Sequence, residues 1–379
     1  MKNLNKSLSV VAVAVLATFQ AQADLRINGF ANLTGGITSS DDSLYGYDDR
    51  VSFGSQSLFA IQVSGDINDK MTATGQLVAR GNDSYDANFE WAYITYQTSD
   101  NTSVSAGRLR MPLFRYSASL DVGYSYHWVV APQSIYAVPF NNIDGVQVDY
   151  SGYSGDLEYT FQVTAGKIEN EFTLGGANGN LEIDNVISLT GEFTYENWKF
   201  RGVYATAKAT FDIPDLDGPL SLLAQISPEL SNKLNANDDT GIFYGLSLEY
   251  DSYDWFVAAE MTGIKIDQSF YQDESNFYIT AGIRTGKWTP FITYEKSDLN
   301  DGPKFLSDIG GFPAPFQPAL TQLVVGIQMP AISEDNTLSA GVRYDLDTNV
   351  ALKADVVKFT NDISEEEDTL LRFAINYVF

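Results

Sequence analysis

The residues best able to do chemistry crowd into one run. Between Gly107 and Phe140 stand Arg108, Arg110, Arg115 and His127, the only histidine of the chain, spaced among Pro112, Pro132 and Pro139. A guanidinium stays charged at any ordinary pH and offers a rigid fork of donors. Several of them near one connection suit the screening of charged solutes by sign. His127 is the one side chain that ordinarily titrates near neutrality. It stands in Tyr124-Ser125-Tyr126-His127-Trp128, and no Gly-x-Ser-x-Gly elbow accompanies it. The chain shows no phosphate-cradling glycine loop and no zinc-ligand spacing, and it has no cysteine. We expect no catalytic residue, no metal and no cofactor, with His127 packed or lining a pore. A hydrolase working through His127 is the alternative.

Such a run needs a scaffold. Connections beyond about 12–15 residues are usually functional or disordered, and 111–142 is too aromatic for disorder. It is expected to fold back inside a large β-barrel and narrow its bore. Tyr116, Tyr124, Tyr126, Trp128, Tyr136 and Phe140 would then pack it against the inner wall, or form a slide for sugars.

Composition agrees with an exported barrel. The net charge is −26, which disfavours nucleic acid as a partner. Lys2 and Lys6, the apolar run Ser7 to Phe19 and Ala21-Gln22-Ala23 read as a cleaved export signal over 1–23. The mature chain, 24–379, would carry −28. No later stretch is long and apolar enough for a membrane helix. Without cysteine, sheet and packing must supply all stability.

Period-two alternation recurs along the chain. Leu157, Tyr159, Phe161 and Val163 oppose Glu158, Thr160 and Gln162, and Leu338, Ala340, Val342 and Tyr344 oppose Ser339, Gly341 and Arg343. Strands are expected at 25–37, 57–67, 70–80, 88–98, 101–110, 143–151, 156–167, 185–196, 198–209, 240–250, 255–266, 276–286, 288–297, 336–346, 349–360 and 369–379. Their length suits a spanning strand tilted in a bilayer. Short turns alternate with long connections at 38–56, 111–142, 168–184, 210–239 and 297–318, the sidedness of an outer-membrane barrel. The fold class is therefore all-β, a transmembrane antiparallel barrel of sixteen strands, with eighteen as the alternative. Residues 319–330 read as a further strand that breaks parity, assigned to an external excursion or an extension of 336–346. Residues 218–234 have a helical look divided at Pro228, either a lid or a surface loop.

If the apolar face meets lipid, the opposite row lines the bore. By parity it holds Arg26, Arg80, Arg108, Arg110, Lys199, Arg201, Arg284, Arg343, Lys353 and Arg372, with Glu90, Asp149, Glu158, Glu192, Glu249, Glu260, Glu295 and Asp355 among the acids. Trp91, Tyr93, Trp198, Tyr204, Tyr244, Trp255 and Trp288 read as interfacial girdle residues. Asp41-Asp42, Asp48-Asp49, Asp238-Asp239 and Glu365–Glu367 fall in external loops, where they are solvated or bridge divalent cations to an anionic lipid surface.

The last segment, Thr369-Leu-Leu-Arg-Phe-Ala-Ile-Asn-Tyr-Val-Phe379, alternates and ends on an aromatic. A terminal Phe on such a strand resembles the signal read by the barrel-assembly machinery. With the export signal and the arginine-bearing third long loop, the chain resembles the Gram-negative porin superfamily. That resemblance implies a sixteen-stranded homotrimer in the outer membrane, bounded by lipid and lipopolysaccharide, with the third loop in each pore. It implies a basic wall cluster, here Arg80, Arg108 and Arg110, facing an acid on the loop, here Asp121, with Arg115 beside them. The implied function is passive diffusion of small hydrophilic solutes or ions. A non-conducting structural or adhesive barrel remains open.

Overall fold

Sixteen amphipathic segments without a free edge can satisfy every backbone group only by closing on themselves. A computed structural model describes residues 25–41, 43–299 and 302–379. The expected export signal lies outside the described residues. Among those described, sixteen strands form one closed antiparallel barrel. They are β1 Leu25–Thr38, β2 Leu58–Asn68, β3 Met71–Arg80, β4 Ala87–Ser99, β5 Thr102–Arg110, β6 Asn142–Ser154, β7 Leu157–Leu174 and β8 Ala177–Tyr195, followed by β9 Trp198–Asp212, β10 Asp239–Asp251, β11 Trp255–Ile266, β12 Glu274–Ile283, β13 Trp288–Leu299, β14 Ser333–Asp347, β15 Val350–Asn361 and β16 Glu366–Val378. Each pairs with its neighbours in sequence, and β16 closes on β1 from Phe30 opposite Val378 to Thr38 opposite Leu370. Phe379 adds one more rung, exchanging backbone bonds of 3.0 and 2.9 Å with Gly29. The seven turns on the side of the termini are two to four residues long.

Three expectations are corrected. Residues 168–184 are not a long loop: β7 and β8 continue as a hairpin to Gly175-Gly176, whose φ values of +55° and +85° suit a tight two-residue turn. Residues 319–330 are not a strand but lie largely in a helix, Gln317–Gln328. Its buried Leu320, Val324 and Ile327 fall at helical spacing, and Pro318 starts it. Trp91 and Tyr93 are not girdle residues. A bulge between Gln76 and Leu77 turns both Glu90 and Trp91 inward, where the Trp91 indole donates to Gln62 at 3.2 Å. Tyr93 packs against the interior core.

The helical look of 218–234 resolves into two helices. Four of the helices are labelled in chain order: α1 Gln133–Tyr136, α2 Pro214–Ile226, α3 Pro228–Leu234 and α4 Gln317–Gln328. Ser227 ends α2 and caps α3, accepting from the Leu230 amide at 3.3 Å. Leu223, Leu230, Leu234, Leu320, Val324 and Ile327 bury against one another. Phe172 and Phe211, at the outer ends of β7 and β9, join that cluster.

The strands invert their amphipathicity along their length. Low on β7, Phe161 and Val163 are exposed and Thr164 is buried; higher up, Ile168 is buried and Lys167, Glu169 and Glu171 are exposed. On β8 a bulge at Asp184-Asn185 exchanges the rows. A strand that leaves lipid for water must send its apolar side inward, because its outer face is then solvated.

Candidate functional site

The connection 111–141 begins where β5 leaves its neighbour. Pairing between β4 and β5 ends at Ala92 and Arg108. Gly107, at φ +133°, lies so close to the Ala92 carbonyl that no Cβ fits. From Met111 the chain turns into the barrel. Met111, Leu113, Phe114, Tyr126, Trp128 and Tyr136 bury against inward residues of the wall, including Val203, Phe243, Tyr278 and Phe291. The loop aromatics are thus packing groups: Trp128 is 2% exposed.

Charged wall residues tie the loop down. Arg201 on β9 donates to the Leu113 carbonyl at 2.9 Å and also to that of Pro112. Arg115 ion-pairs with Glu249 on β10, and its amide donates to Glu260 on β11 at 2.9 Å. The Tyr136 hydroxyl donates to Glu260 at 2.5 Å, and the Ser134 amide to Glu295 on β13 at 3.1 Å. Arg343 on β14 donates to the carbonyls of Tyr124 and Tyr126 at 2.6 and 2.9 Å. Lys353 on β15 donates to those of Gly123 and Trp128. The Pro112 carbonyl also accepts from the Thr190 hydroxyl at 3.2 Å; the other carbonyls would otherwise lack a protein donor inside the barrel.

His127 is part of this packing. Its Nε2 lies 3.0 Å from Thr280 Oγ1, and its ring stands 4.1–4.9 Å from those of Trp128, Phe256 and Phe291. Burial holds its pKa well below the usual imidazole value, and the nearby Lys353 and arginines add to that.

Four charges meet beside the infolded loop. Arg80 Nη2 lies 2.7 Å from Glu90 Oε2 and 3.1 Å from Asp121 Oδ2. Arg110 Nη1 lies 2.6 Å from Glu90 Oε1 and 3.4 Å from Asp121 Oδ2. Arg110 Nε also donates to the Ser117 carbonyl at 2.7 Å. The group joins β3, β4 and β5 to the loop, with two positive and two negative members. Arg80 and Asp121 line a cavity of about 310 Å3, together with Asn32, Thr34, Gln56 and Gln133. Asn32 on β1 steadies the loop by donating to the Asp121 carbonyl at 2.8 Å.

The other expected site residues lie elsewhere. Arg108 makes no ion pair with this cluster, although it lines a separate cavity of about 210 Å3 together with Arg80, Glu90 and Asp144. It forks onto Asp144 at 2.9 and 3.0 Å. Asp144 shares its row with the exposed Val146, Val148 and Tyr150, so the pair lies on the outward face. Arg110 shares that row by spacing, but the chain turns in immediately after it, which brings it to Glu90. Arg115, within the loop, and Arg201, beneath it, are buried, and Arg343 is largely so. Arg372 forks onto Asp355 at 3.0 and 2.8 Å within the wall. Arg26 forks onto Asp66, and Arg284 onto Asp251, both at the short-turn end. Sequence reasoning passed over the apolar inward row that receives the loop. Its signal was present: Val203 and Ala205 follow Arg201 at strand spacing.

Comparison with known proteins agrees with this architecture. OmpF of Salmonella typhi, solved with daunomycin, is similar at a TM-score of 0.60 and 14% identity, over 94% of this chain and 97% of that one. An anion-selective porin of Comamonas acidovorans is similar at 0.56 and 12%, over 94% and 100%. The trimer form of OmpT, an outer membrane protein of Vibrio cholerae, is similar at 0.53 and 12%, over 95% and 100%. At these identities the likeness is one of fold. No curated protein matches the sequence. The model of the Gram-negative porin family matches residues 8–364, nearly the whole chain, and this protein belongs to that family.

Proposed function

We propose that the barrel is an outer-membrane channel through which small hydrophilic solutes or ions diffuse passively. The observation that supports this best is the polar cavity beside the infolded loop, lined by Arg80 and Asp121, which pair with Glu90 and Arg110. Two guanidinium groups against two carboxylates leave no net charge there, so the channel discriminates weakly by sign. Opposed charges across an opening also orient water, which raises the barrier for apolar solutes. A homotrimer is the assembly we favour, since the OmpT structure similar in fold is a trimer form.

His127 supports a structural role over a hydrolytic one. A general base needs a hydrogen-bond route to a nucleophile that substrate can reach. Among the described residues its Nε2 meets only Thr280 Oγ1, on the buried side of the loop.

The test is planar-bilayer conductance of the purified protein, with the reversal potential in a salt gradient. Steady open steps with a reversal potential near zero are expected. Folded barrels giving no steps would overturn the channel reading in favour of a plugged barrel.

A further inference from the structure

A second cavity, of about 670 Å3, lies between the infolded loop and the outer parts of β7 to β12. Small-molecule sites typically span roughly 300–1,000 Å3 and are mostly apolar. Leu113, Val138 and Phe140 line it from the loop, and Phe172, Ala207 and Phe243 from the wall. A path for hydrophilic solutes gains nothing from such a lining. Deeper in, the loop and wall close over large side chains such as Trp128 and Tyr278. Here the wall leaves room instead: Ala205, Ala207 and Ala209 follow one another in the inward row of β9, and Gly241 stands opposite Ala207.

Charge is distributed one-sidedly around this space. Among the described lining residues there is no Lys, Arg or His, whereas Glu171 and Glu274 are both present. Glu274 Oε2 accepts from the Tyr271 hydroxyl at 2.6 Å. Ala137 and Glu274 also line an adjoining cavity of about 230 Å3, where Glu295 and Asp335 face the same space, again with no basic lining residue. An apolar chamber therefore opens at one end onto carboxylates.

We propose that this mouth chamber binds small aromatic cations, the ring in the apolar cavity and the ammonium towards Glu274. A neutral ring would gain only the apolar contact, and an anionic ring would meet repulsion at the acidic end. The inference goes beyond passive diffusion, because binding here does not require the ligand to cross.

The experiment is calorimetric titration of the protein in zwitterionic nanodiscs, with empty discs as reference. The probes are 1-naphthylmethylammonium and 2-naphthalenesulfonate, which share a ring and differ in charge. Saturable binding of the ammonium probe is expected, about tenfold tighter than the sulfonate. Ala207→Trp, which fills the cavity, should weaken the ammonium probe by about tenfold or more. Glu274→Gln, which leaves the cavity open, should weaken it severalfold and narrow the gap between the probes. No binding beyond empty discs, equal binding of both probes, or affinity untouched by either variant would overturn the proposal. Folding of each variant is read independently, from its shifted migration on unheated gels. Because no current is measured, a barrel that fails to conduct can still pass or fail this test.

Discussion

Arg80 and Arg110 hold Glu90 and Asp121 between them, and removing any one of the four leaves an uncompensated charge beside the opening. Asp121→Asn should shift the reversal potential towards anions, and Arg110→Ala towards cations. The expected size is about a fivefold change in permeability ratio, the effect of roughly 1 kcal/mol of barrier. Shifts of the same sign in both variants would refute the charge balance. Arg108→Ala should shift the reversal potential less than Arg110→Ala does, since Arg108 pairs with Asp144 on the outward row rather than with Glu90 or Asp121. That Arg110 belongs to the cluster and Arg108 does not was hidden from spacing. Two residues apart on one strand, they share a row, and only the inward turn at Met111 separates them.

His127 carries a pH prediction. Its pKa is lowered by burial in the docked loop, so the docked form excludes a proton that an exposed imidazole would take below about 6.5. Docking is therefore strongest above that pH and weakens as the pH falls through it. Channel noise from loop movement should rise between pH 7.5 and 5, and His127→Gln should lack that rise. A rise of equal size in the variant would assign it to other groups.

At the scale of elements, the loop is held by a few donors against many carbonyls. Lys353→Met leaves the Gly123 and Trp128 carbonyls without their donor, at a cost of about 1–3 kcal/mol for each. Limited proteolysis of the folded barrel should then cut within 111–141, where the parent resists. In the cap, Leu320 is 1% exposed between α4 and its neighbours. Leu320→Ala should cost about 2–5 kcal/mol of packing. We expect faster cleavage within 213–238 and an unchanged barrel melt, because the sheet does not depend on the helices. The strands and the two helices flanking Ser227 were legible, since period two and the punctuation by Pro228 are local signals. Helix α4 was misread as a strand because Leu320, Leu323, Val324 and Ile327 form a short apolar run that both periods fit in part.

Over the whole molecule, closure rests on the last residues. Phe379 bonds to Gly29 through its backbone, and its ring stacks 6.2 Å from that of Phe59 and 5.5 Å from that of Tyr377. The backbone rung survives any side-chain change, so Phe379→Ala should refold in detergent with nearly the parent's melting temperature. If the ring is also an assembly signal, the same variant should reach the outer membrane of cells at a reduced level. Equal levels would confine Phe379 to barrel closure.

The sequence by itself determined the barrel. Sixteen alternating segments, short turns on one side and an aromatic terminal strand leave few other ways to satisfy the backbone within a bilayer. It also located the long connection that folds inward and named Arg80, Arg110 and Asp121, which meet Glu90 beside it, because long connections and charged residues are visible without coordinates. Only the tertiary structure decided which charges meet the opening and which are spent on anchoring the loop. It also decided where the two faces of the strands exchange character. Alternation tells that two faces differ, but what each face meets is set by neighbours far apart in sequence. Those neighbours are lipid low on the wall, the loop within it and water above, so apolar residues such as Phe172 and Phe243 turn inward, where parity alone had placed only a polar lining.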